Sequence, residues 1–306
     1  MHLRHDHLST RCAVDPRRFR LADHDPADTL SPEFDSLRGA TLKRRAGELL
    51  EESRAGLSRA QELLWASDTY SVLVVLQGMD TAGKDGIVKH VMAGVNPAAC
   101  DVHAFKSPSS EELNHNFLWR AWQRVPARGR IGIFNRSYYE EVLIVRVHPE
   151  QLAEERLPAR RAGPRLWQER FEDINHFEQH LARNGTLILK FFLNLSKAEQ
   201  RRRLLERLDA RDKRWKFSAA DLRERDYWND YARAYEAMLL ATSTPWAPWY
   251  VVPADHKFIA RAVVASILVS RIGALDLRYP RLGRAAAAEL AAAHRRLAGR
   301  GRRASR

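Results

Sequence analysis

Short apolar runs alternate along the chain with longer stretches in which apolar residues recur at helical spacing. The apolar runs are rich in β-branched and aromatic residues and are short enough to be buried strands. They lie at 72–77, 100–105, 131–134, 187–193 and 249–252. The amphipathic stretches predict helices at 36–65, 87–92, 111–125, 166–181, 219–240 and 259–272, with further helices beginning near Ser137 and Ser196.

This alternation predicts the fold class. Strands that alternate with helices favour an α/β/α three-layer sandwich around a mostly parallel, five-stranded sheet. The residues that follow the fourth strand, about 196–230, look like an insertion. In phosphoryl-transfer enzymes such an insertion can close over the substrate as a helical lid.

The first predicted strand ends abruptly in a glycine loop, and a helix follows. The loop has the spacing of G-x-x-x-x-G-K, in which backbone N–H groups, the helix N-terminus and the lysine attract phosphate oxygens. A glycine turn without a ligand is the alternative, but the strand before the loop and the helix after it favour phosphate binding. The predicted phosphate-binding residues are Gly78, Met79, Thr81, Ala82, Gly83, Lys84 and Asp85.

The loop departs from the usual motif in its acidic residues. The position of the usual Ser or Thr, whose hydroxyl binds Mg²⁺, is taken by Asp85, and Asp80 lies inside the loop. A carboxylate beside a phosphate is repulsive unless a cation lies between them. We therefore interpret Asp80 as a metal ligand, whereas Asp85 is either a second ligand or a cap of the helix that follows.

Further charged residues follow the second and third predicted strands. In open parallel sheets, ligands bind at the carboxyl ends of the strands. Lys106, Asn135 and Arg136 come at such ends, and Lys106 is either a phosphate ligand or a solvated loop residue. Glu140 and Glu141 lie in the first turn of the next predicted helix, where they either stabilise its N-terminus or contact a metal ion.

Two arginines in the predicted lid are one helical turn apart. Arg203 and Arg207 share a helix face, and paired arginines suit phosphate oxygens and the charge that develops in phosphoryl transfer. A solvated basic face is the alternative. Tyr227, Tyr231 and Tyr235 form a helical stripe that we assign to core packing in preference to base stacking.

Composition and charge narrow the class of partner. The 306 residues are 45% hydrophobic, and 51 Lys and Arg against 38 Asp and Glu give a net charge of +13. This charge favours an anionic partner, such as nucleic acid, an acidic membrane surface or a phosphate-rich substrate. Two cysteines, no apolar run of membrane-spanning length and no signal-peptide core predict a cytoplasmic protein that does not insert into membranes.

The sequence resembles the polyphosphate kinase 2 family over about 35–275. Several separate motifs carry the resemblance in the same order along the chain. They are the loop 78–86, Asn116-Phe117-Leu118-Trp119-Arg120, the run 133–143 with Asn135-Arg136-Ser137-Tyr138-Tyr139-Glu140-Glu141, Trp215-Lys216-Phe217-Ser218, and 243–250. Outside this region we expect a flexible leader at 1–34 and a basic tail at 276–306.

The resemblance implies a P-loop kinase fold with a helical lid. It further implies phosphoryl transfer between inorganic polyphosphate and a nucleotide (AMP, ADP or ATP) with Mg²⁺, or alternatively Mn²⁺, and we expect a homodimer or homotetramer. Asp80 then binds metal, and the predicted catalytic residues are Asp80, Lys84, Arg136 and Asn135. Many members have Asp where this chain has Asn135. A neutral amide is a poorer Mg²⁺ ligand than a carboxylate, so we take Glu140 as the candidate for the second metal ligand. The motif around Asn135 is similar to the subgroup that phosphorylates both nucleoside mono- and diphosphates.

Two other classes share some of these features. A P-loop kinase with a nucleoside triphosphate donor and a small acceptor would share the loop but not the other motifs. A nucleic-acid-binding P-loop protein would explain the positive charge, but we find no helix-turn-helix pattern, zinc-ligand spacing or RNA-binding aromatic motif. A phosphate polymer explains the charge equally well, and nucleic acid is therefore not the partner we expect.

Overall fold

The computed structural model describes residues 2–158, 161–212 and 214–300, and it contains one five-stranded, all-parallel sheet. The strand order is β2-β3-β1-β4-β5, so the first strand lies at the centre. The strands are β1 Ser71–Gln77, β2 Cys100–Ala104, β3 Ile131–Asn135, β4 Thr186–Asn194 and β5 Trp249–Pro253. The predicted fold class is confirmed, and the carboxyl ends of β1, β3 and β4 meet at the sheet edge beside the glycine loop.

The strands carry apolar side chains on both faces of the sheet, and helices therefore pack against both faces. Their bounds are α1 His2–Cys12, α2 Pro32–Asp35, α3 Gly39–Ser67, α4 Lys84–Val91, α5 Trp119–Trp122, α6 Glu140–Val147, α7 Pro149–Glu154, α8 Leu166–Arg183, α9 Lys197–Asp209, α10 Ala219–Glu224, α11 Trp228–Thr242, α12 Lys257–Gly273 and α13 Arg284–Arg300. One core cluster joins β1 to α3, α4 and α12. The other joins the opposite face of β1 to α6, α8 and α11.

The N-terminal segment differs from the flexible leader predicted for 1–34. Leu8 and Cys12 are 5% and 1% exposed and belong to the core that contains α12. The backbone N–H of Val14 donates to the carbonyl of Trp249 over 2.9 Å, so the segment also pairs with the edge strand β5. A few apolar side chains spaced among charges are enough to anchor it, and it covers a sheet edge that would otherwise be open.

Two predicted helices are shorter than expected. The stretch 219–240 contains α10 and α11 with a break between them, and 111–125 contains only a 3₁₀ turn and the single-turn α5. The tail helix α13 has exposed side chains wherever they are described, while 301–306 lies outside the described residues. Within the described part of the chain, no helix is long and apolar enough to cross a membrane.

Candidate active site

The glycine loop between β1 and α4 has a backbone that only glycine accommodates well at two positions. Gly78 has φ +154°, and a Cβ there would lie 2.9 Å from the carbonyl oxygen of Leu193. Gly83 has φ +109° and forms the N-cap of α4. Within the loop, the N–H of Ala82 donates to the carbonyl of Met79 over 3.1 Å. These glycines let the chain turn tightly and expose its N–H groups at the start of a helix.

Lys84 lies buried at the centre of this loop. Its ammonium donates to the carbonyl oxygens of Gly78 (2.5 Å) and Met79 (3.3 Å). Burial and the positive charge of Arg136 lower the pKa of Lys84, while the carboxylates of Asp80, Glu140 and Asp85 act in the opposite direction. The structure therefore brings the predicted charged residues of three segments around one ammonium group.

Asp80 and Arg136 form the ion pair at the mouth of the loop. Their side chains meet at 2.9 Å and remain partly exposed, at 31% and 41%. Arg136 follows β3 with φ +63°, an uncommon conformation for a residue with a side chain. Gln200 of α9 donates to the Asp80 carbonyl over 3.1 Å, so the lid contacts the same residue from the other side. The pair shows that a cation can reach the Asp80 carboxylate at this position.

The other acidic residues that the sequence suggests as metal ligands lie close to the Asp80–Arg136 pair. Asp85 accepts a hydrogen bond from the amide of Asn135 over 2.8 Å. Glu140 starts α6, and its charge raises the pKa of Arg136. The sequence analysis did not identify Asp221 of the lid as a site residue. Burial, and secondly the negative charge of Asp80, raise the pKa of the Asp221 carboxyl. Its only signal in the sequence was a place within the lid.

A divalent metal fits this arrangement only if substrate oxygens complete its coordination. Among the described residues, no group of three or more His, Cys, Asp or Glu side chains could hold a metal ion alone. Mg²⁺ typically binds one or two carboxylates together with substrate phosphates, and Asp80 and Glu140 offer that donor set. The buried hydroxyl of Thr81 has no hydrogen-bond partner in the described structure, which agrees with a loop that takes a polar ligand.

Arg203 has a different position from the one predicted. Its guanidinium donates to the carbonyls of Thr81 (2.9 Å) and Ala82 (3.1 Å), and also to those of the β5–α12 connection and to Glu199. These bonds occupy all five of its N–H donors, and the residue is 4% exposed. This differs from direct phosphate binding, because Arg203 fastens the outer side of the loop to the lid.

Arg207 is more accessible than Arg203. It pairs with Asp221 over 3.1 Å, and its side chain is 22% exposed. Because Asp221 senses the charges of Asp80 and Arg136, the pair lies on the part of the lid that faces the loop. Although Arg203 and Arg207 share one helix face, Arg203 supports the loop and Arg207 lies near the site.

A cavity of about 380 Å³ opens beside Arg136, on the side of β2 and β3. Lys106 is exposed on its rim. Arg120 donates to the Lys106 carbonyl (2.8 Å) and pairs with Glu141 (2.9 Å), so it joins the end of β2 to α6. Both side chains of this pair are buried. Glu141 therefore shapes the cavity wall rather than acting as an exposed metal ligand, and Arg120 was missed as a support.

A buried polar network holds the turn between Arg136 and Glu140 from behind. The hydroxyls of Tyr138 (2.8 Å) and Tyr139 (2.7 Å) both donate to Glu178 of α8. Lys190 of β4 pairs with the same carboxylate over 2.6 Å. Sequence patterns could not predict this network, since its members are far apart along the chain. It fixes two of the three residues that connect the positive-φ arginine to α6.

A parallel sheet, a glycine loop opening a helix, and lysine, arginine and aspartate around that loop define a P-loop phosphotransferase. Residues 41–279 match the family Polyphosphate kinase 2 (PPK2). The chain belongs to this family, and the resemblance noted in the sequence is confirmed.

Similar proteins cover nearly the whole chain. An ADP-polyphosphate phosphotransferase of Rhodopseudomonas palustris is 47% identical over 274 residues, 87% of this chain and 93% of the relative. An AMP/ADP-polyphosphate phosphotransferase of Meiothermus ruber is 45% identical over 266 residues, 86% and 92% of the two chains. The crystal structure of Polyphosphate Kinase 2 from Arthrobacter aurescens has a TM-score of 0.83 and 41% identity, covering 94% of this chain and 96% of that one.

Proposed function

We propose that this protein transfers the terminal phosphoryl group of inorganic polyphosphate to a nucleoside mono- or diphosphate, converting AMP to ADP and ADP to ATP, and that the transfer is reversible. The observation that carries the proposal is the meeting of Asp80, Lys84 and Arg136 at one glycine loop in a chain of this family. The names of the two relatives support nucleotide acceptors and a polyphosphate donor.

The chemical obstacle is repulsion between two anions. A polyphosphate end and a nucleotide phosphate must approach in line, and Lys84 and Arg136 lower the cost of that approach. Arg207 adds positive charge when the lid lies over the loop. No general base is required, because the attacking phosphate oxygen is already ionised at neutral pH.

Asp80 and Glu140 are the residues that we propose to hold Mg²⁺, with Mn²⁺ as an alternative. When bound, the ion would neutralise charge on the phosphate oxygens. Without such a cation the carboxylate of Asp80 would repel both substrates. An aspartate in a phosphate-binding loop is therefore best explained by a cation that binds to it. Asn135 then orients Asp85 through its amide instead of binding metal.

The two substrates suit different parts of the site. The loop offers backbone N–H groups and Lys84 but little apolar surface, which suits a phosphate chain. The cavity beside Arg136 combines Phe105 and Phe117 with Lys106 and Arg120, which suits a nucleoside phosphate. We therefore assign the donor to the loop and the acceptor to the cavity.

The decisive experiment is incubation with long-chain polyphosphate, Mg²⁺ and ADP, followed by measurement of ATP. Parallel reactions omit polyphosphate, add EDTA, or supply ATP with a panel of small acceptors. ATP formation that needs both polyphosphate and the metal supports the proposal. Activity only with an ATP donor would identify an ordinary P-loop kinase, and polynucleotide binding without either transfer would identify a nucleic-acid-binding protein.

A further inference from the structure

Three arginines follow α4 away from the glycine loop; we call Arg203, Arg261 and Arg54 the arginine row. A guanidinium nitrogen of Arg203 lies 3.8 Å from the position that a Cβ atom would occupy at Gly83. A guanidinium nitrogen of Arg261 lies 3.4 Å from the corresponding position at Gly86. Farther along, Arg54 donates to the carbonyl of His90 over 2.5 Å. The row thus runs from the first turn of α4 to its last.

Arg261 is the unusual member of this row. Within the described structure it forms neither an ion pair nor a hydrogen bond, although its side chain is partly buried. Burial and the charges of Arg54 and Arg203 lower its pKa, and no carboxylate opposes them. By contrast, Arg54 pairs with Glu51, and Arg203 with Glu199.

The cationic surface continues past Arg261. Arg261, Lys89 and Arg54 all lower the pKa of His90, after burial. A partly desolvated guanidinium among other cations is unfavourable until an anion approaches it, and an anion with many charges gains most. Arg261 and the cations beside His90 therefore have the properties of a binding surface for an extended polyanion. Arg203 adds positive charge at the loop end of the row, but its own donors are already occupied.

We propose that Arg261 and its neighbours along α4 bind the distal phosphate units of a polyphosphate chain whose reacting end lies at the glycine loop. This inference rests on the proposed function. From Gly83 to His90 the helix rises roughly 10 Å, at about 1.5 Å per residue, so the surface extends past the reacting phosphates by more than one unit. Arg261 lies beside Gly86, about 4.5 Å along the helix past Gly83, so a single phosphate held at the loop would not reach it, and only a longer chain would extend on to Arg54 beside His90.

Chain length supplies the test. The initial rate of ATP formation from ADP is measured with tripolyphosphate and with long-chain polyphosphate, for the wild type, Arg261→Gln and Arg261→Glu. We expect Arg261→Glu to raise KM for the long chain about tenfold or more and to raise KM for tripolyphosphate by a clearly smaller factor, with Arg261→Gln in between. Rising salt should shrink the difference between variants, because the contacts are electrostatic.

Arg278→Glu is the matched control, since it makes the same charge change at an exposed arginine paired with Asp276. Its ratio of long-chain to tripolyphosphate KM should equal that of the wild type. Melting curves check that all variants are folded. The inference is overturned if Arg261→Glu alters both donors equally, or neither, or if Arg278→Glu has the same effect.

A binding measurement separates this inference from the proposed function. Retention of radiolabelled long-chain polyphosphate on filters is compared between the wild type and Arg261→Glu without nucleotide. Weaker retention by the variant supports the row even if no ATP forms, whereas equal retention overturns it. Competition by single-stranded DNA as strong as that by polyphosphate of equal charge, lost in Arg261→Glu, would assign the row to nucleic acid and overturn the proposal.

Discussion

The carboxylate of Asp80 and the guanidinium of Arg136 lie 2.9 Å apart, although one belongs to the loop after β1 and the other to the turn after β3. The two strands are neighbours in the sheet, which brings their carboxyl ends together. Each group neutralises the other, and the carboxylate that we propose to hold a metal ion is also the one that positions Arg136. The pair thus links the predicted metal ligand to the predicted catalytic arginine.

Asp80→Asn should abolish turnover while leaving the fold intact. The side chain lies at the mouth of the loop and is partly exposed, so the amide should cost little stability, whereas it removes the anionic group that we propose as a metal ligand. ATP formation at saturating Mg²⁺ and the melting temperature measure the two effects. Asp85→Asn is the control, since Asp85 contacts Asn135, and it should retain more activity. Near-normal turnover by Asp80→Asn would disprove the assignment.

The acceptor range is tested with AMP, polyphosphate and Mg²⁺ in preparations free of adenylate kinase. We expect ADP first and ATP afterwards, because the sequence around Asn135 resembles the subgroup that uses both acceptors. Chromatography of the nucleotides over time shows the order. If AMP stays unchanged while ADP is converted, the enzyme is specific for diphosphates and the subgroup assignment is wrong.

The lid arginines should differ in their effects. Arg207→Ala should lower kcat more than it changes KM, by about 2 to 4 kcal/mol at the transition state or about 30- to 1,000-fold. Arg207→Lys should recover part of the loss, because lysine lacks the planar fork. Arg203→Ala should also lower the melting temperature, since Arg203 is buried against the carbonyls of Thr81 and Ala82.

Deletion of 284–306 is the control for these lid variants. This region contains the exposed helix α13 and lies outside the matched family region. The deletion should change kcat much less than Arg207→Ala does. A larger effect of the deletion, or an unchanged kcat in Arg207→Ala, would contradict the role of the lid arginine.

Burial raises the pKa of Glu141 from 4.5 to about 7, in spite of the opposing charge of Arg120. A carboxyl with a raised pKa in the folded state binds its proton more tightly there than in the unfolded chain. Its stabilising contribution is therefore complete below pH 4.5 and is lost as the pH rises through about 7. Glu141→Gln removes this titration but keeps a side chain that accepts from Arg120.

We accordingly expect the melting temperature of the wild type, relative to Glu141→Gln, to fall as the pH rises from 4.5 to 7. Glu62→Gln on the exposed part of α3 controls for the loss of one charge. Its difference from the wild type should be nearly constant over the same range. A difference for Glu141→Gln that grows with pH would show that the ion pair with Arg120 outweighs burial.

Sequence patterns predicted the elements whose cause is local. The glycine loop, the strand that precedes it and the helix that follows it (predicted from Ile87, observed from Lys84) follow from neighbouring residues, and the parallel sheet then places Arg136 beside Asp80. Arg203 and Arg207 were indistinguishable by spacing, because both lie on one helix face. Only the docking of α9 on the loop buries the first and leaves the second accessible.

Other features depend on contacts between distant segments. Val14 reaches β5 across more than two hundred positions, and nothing in the local pattern of 1–34 indicates that pairing. Arg120 and Glu141 belong to short helices whose ends meet only in the folded chain. The break between α10 and α11 likewise contains no proline or glycine, so helical periodicity continued through it in the prediction.

Lys190 and Glu178 form an ion pair in which both side chains are fully buried. Burial lowers the pKa of Lys190 to about 8, and Glu178 opposes this shift. Lys190→Met leaves the carboxylate without its cation, which should destabilise the fold by about 3 to 5 kcal/mol. We expect a melting temperature lower by roughly 10 °C, at about 2 to 4 °C per kcal/mol for a domain of this size.

Combining Lys190→Met with Glu178→Gln removes both charges but keeps an oxygen that accepts from Tyr138 and Tyr139. Most of the lost stability should return, because the cost of the single change is an unpaired buried charge rather than lost packing. Lys43→Met, on the exposed side of α3, is the control and should melt like the wild type. Since the two tyrosines hold the turn from Arg136 to Glu140, kcat should fall in the single variant and recover with the melting temperature in the double one. A double variant that melts no higher than Lys190→Met would show that the network does not act through its paired charges.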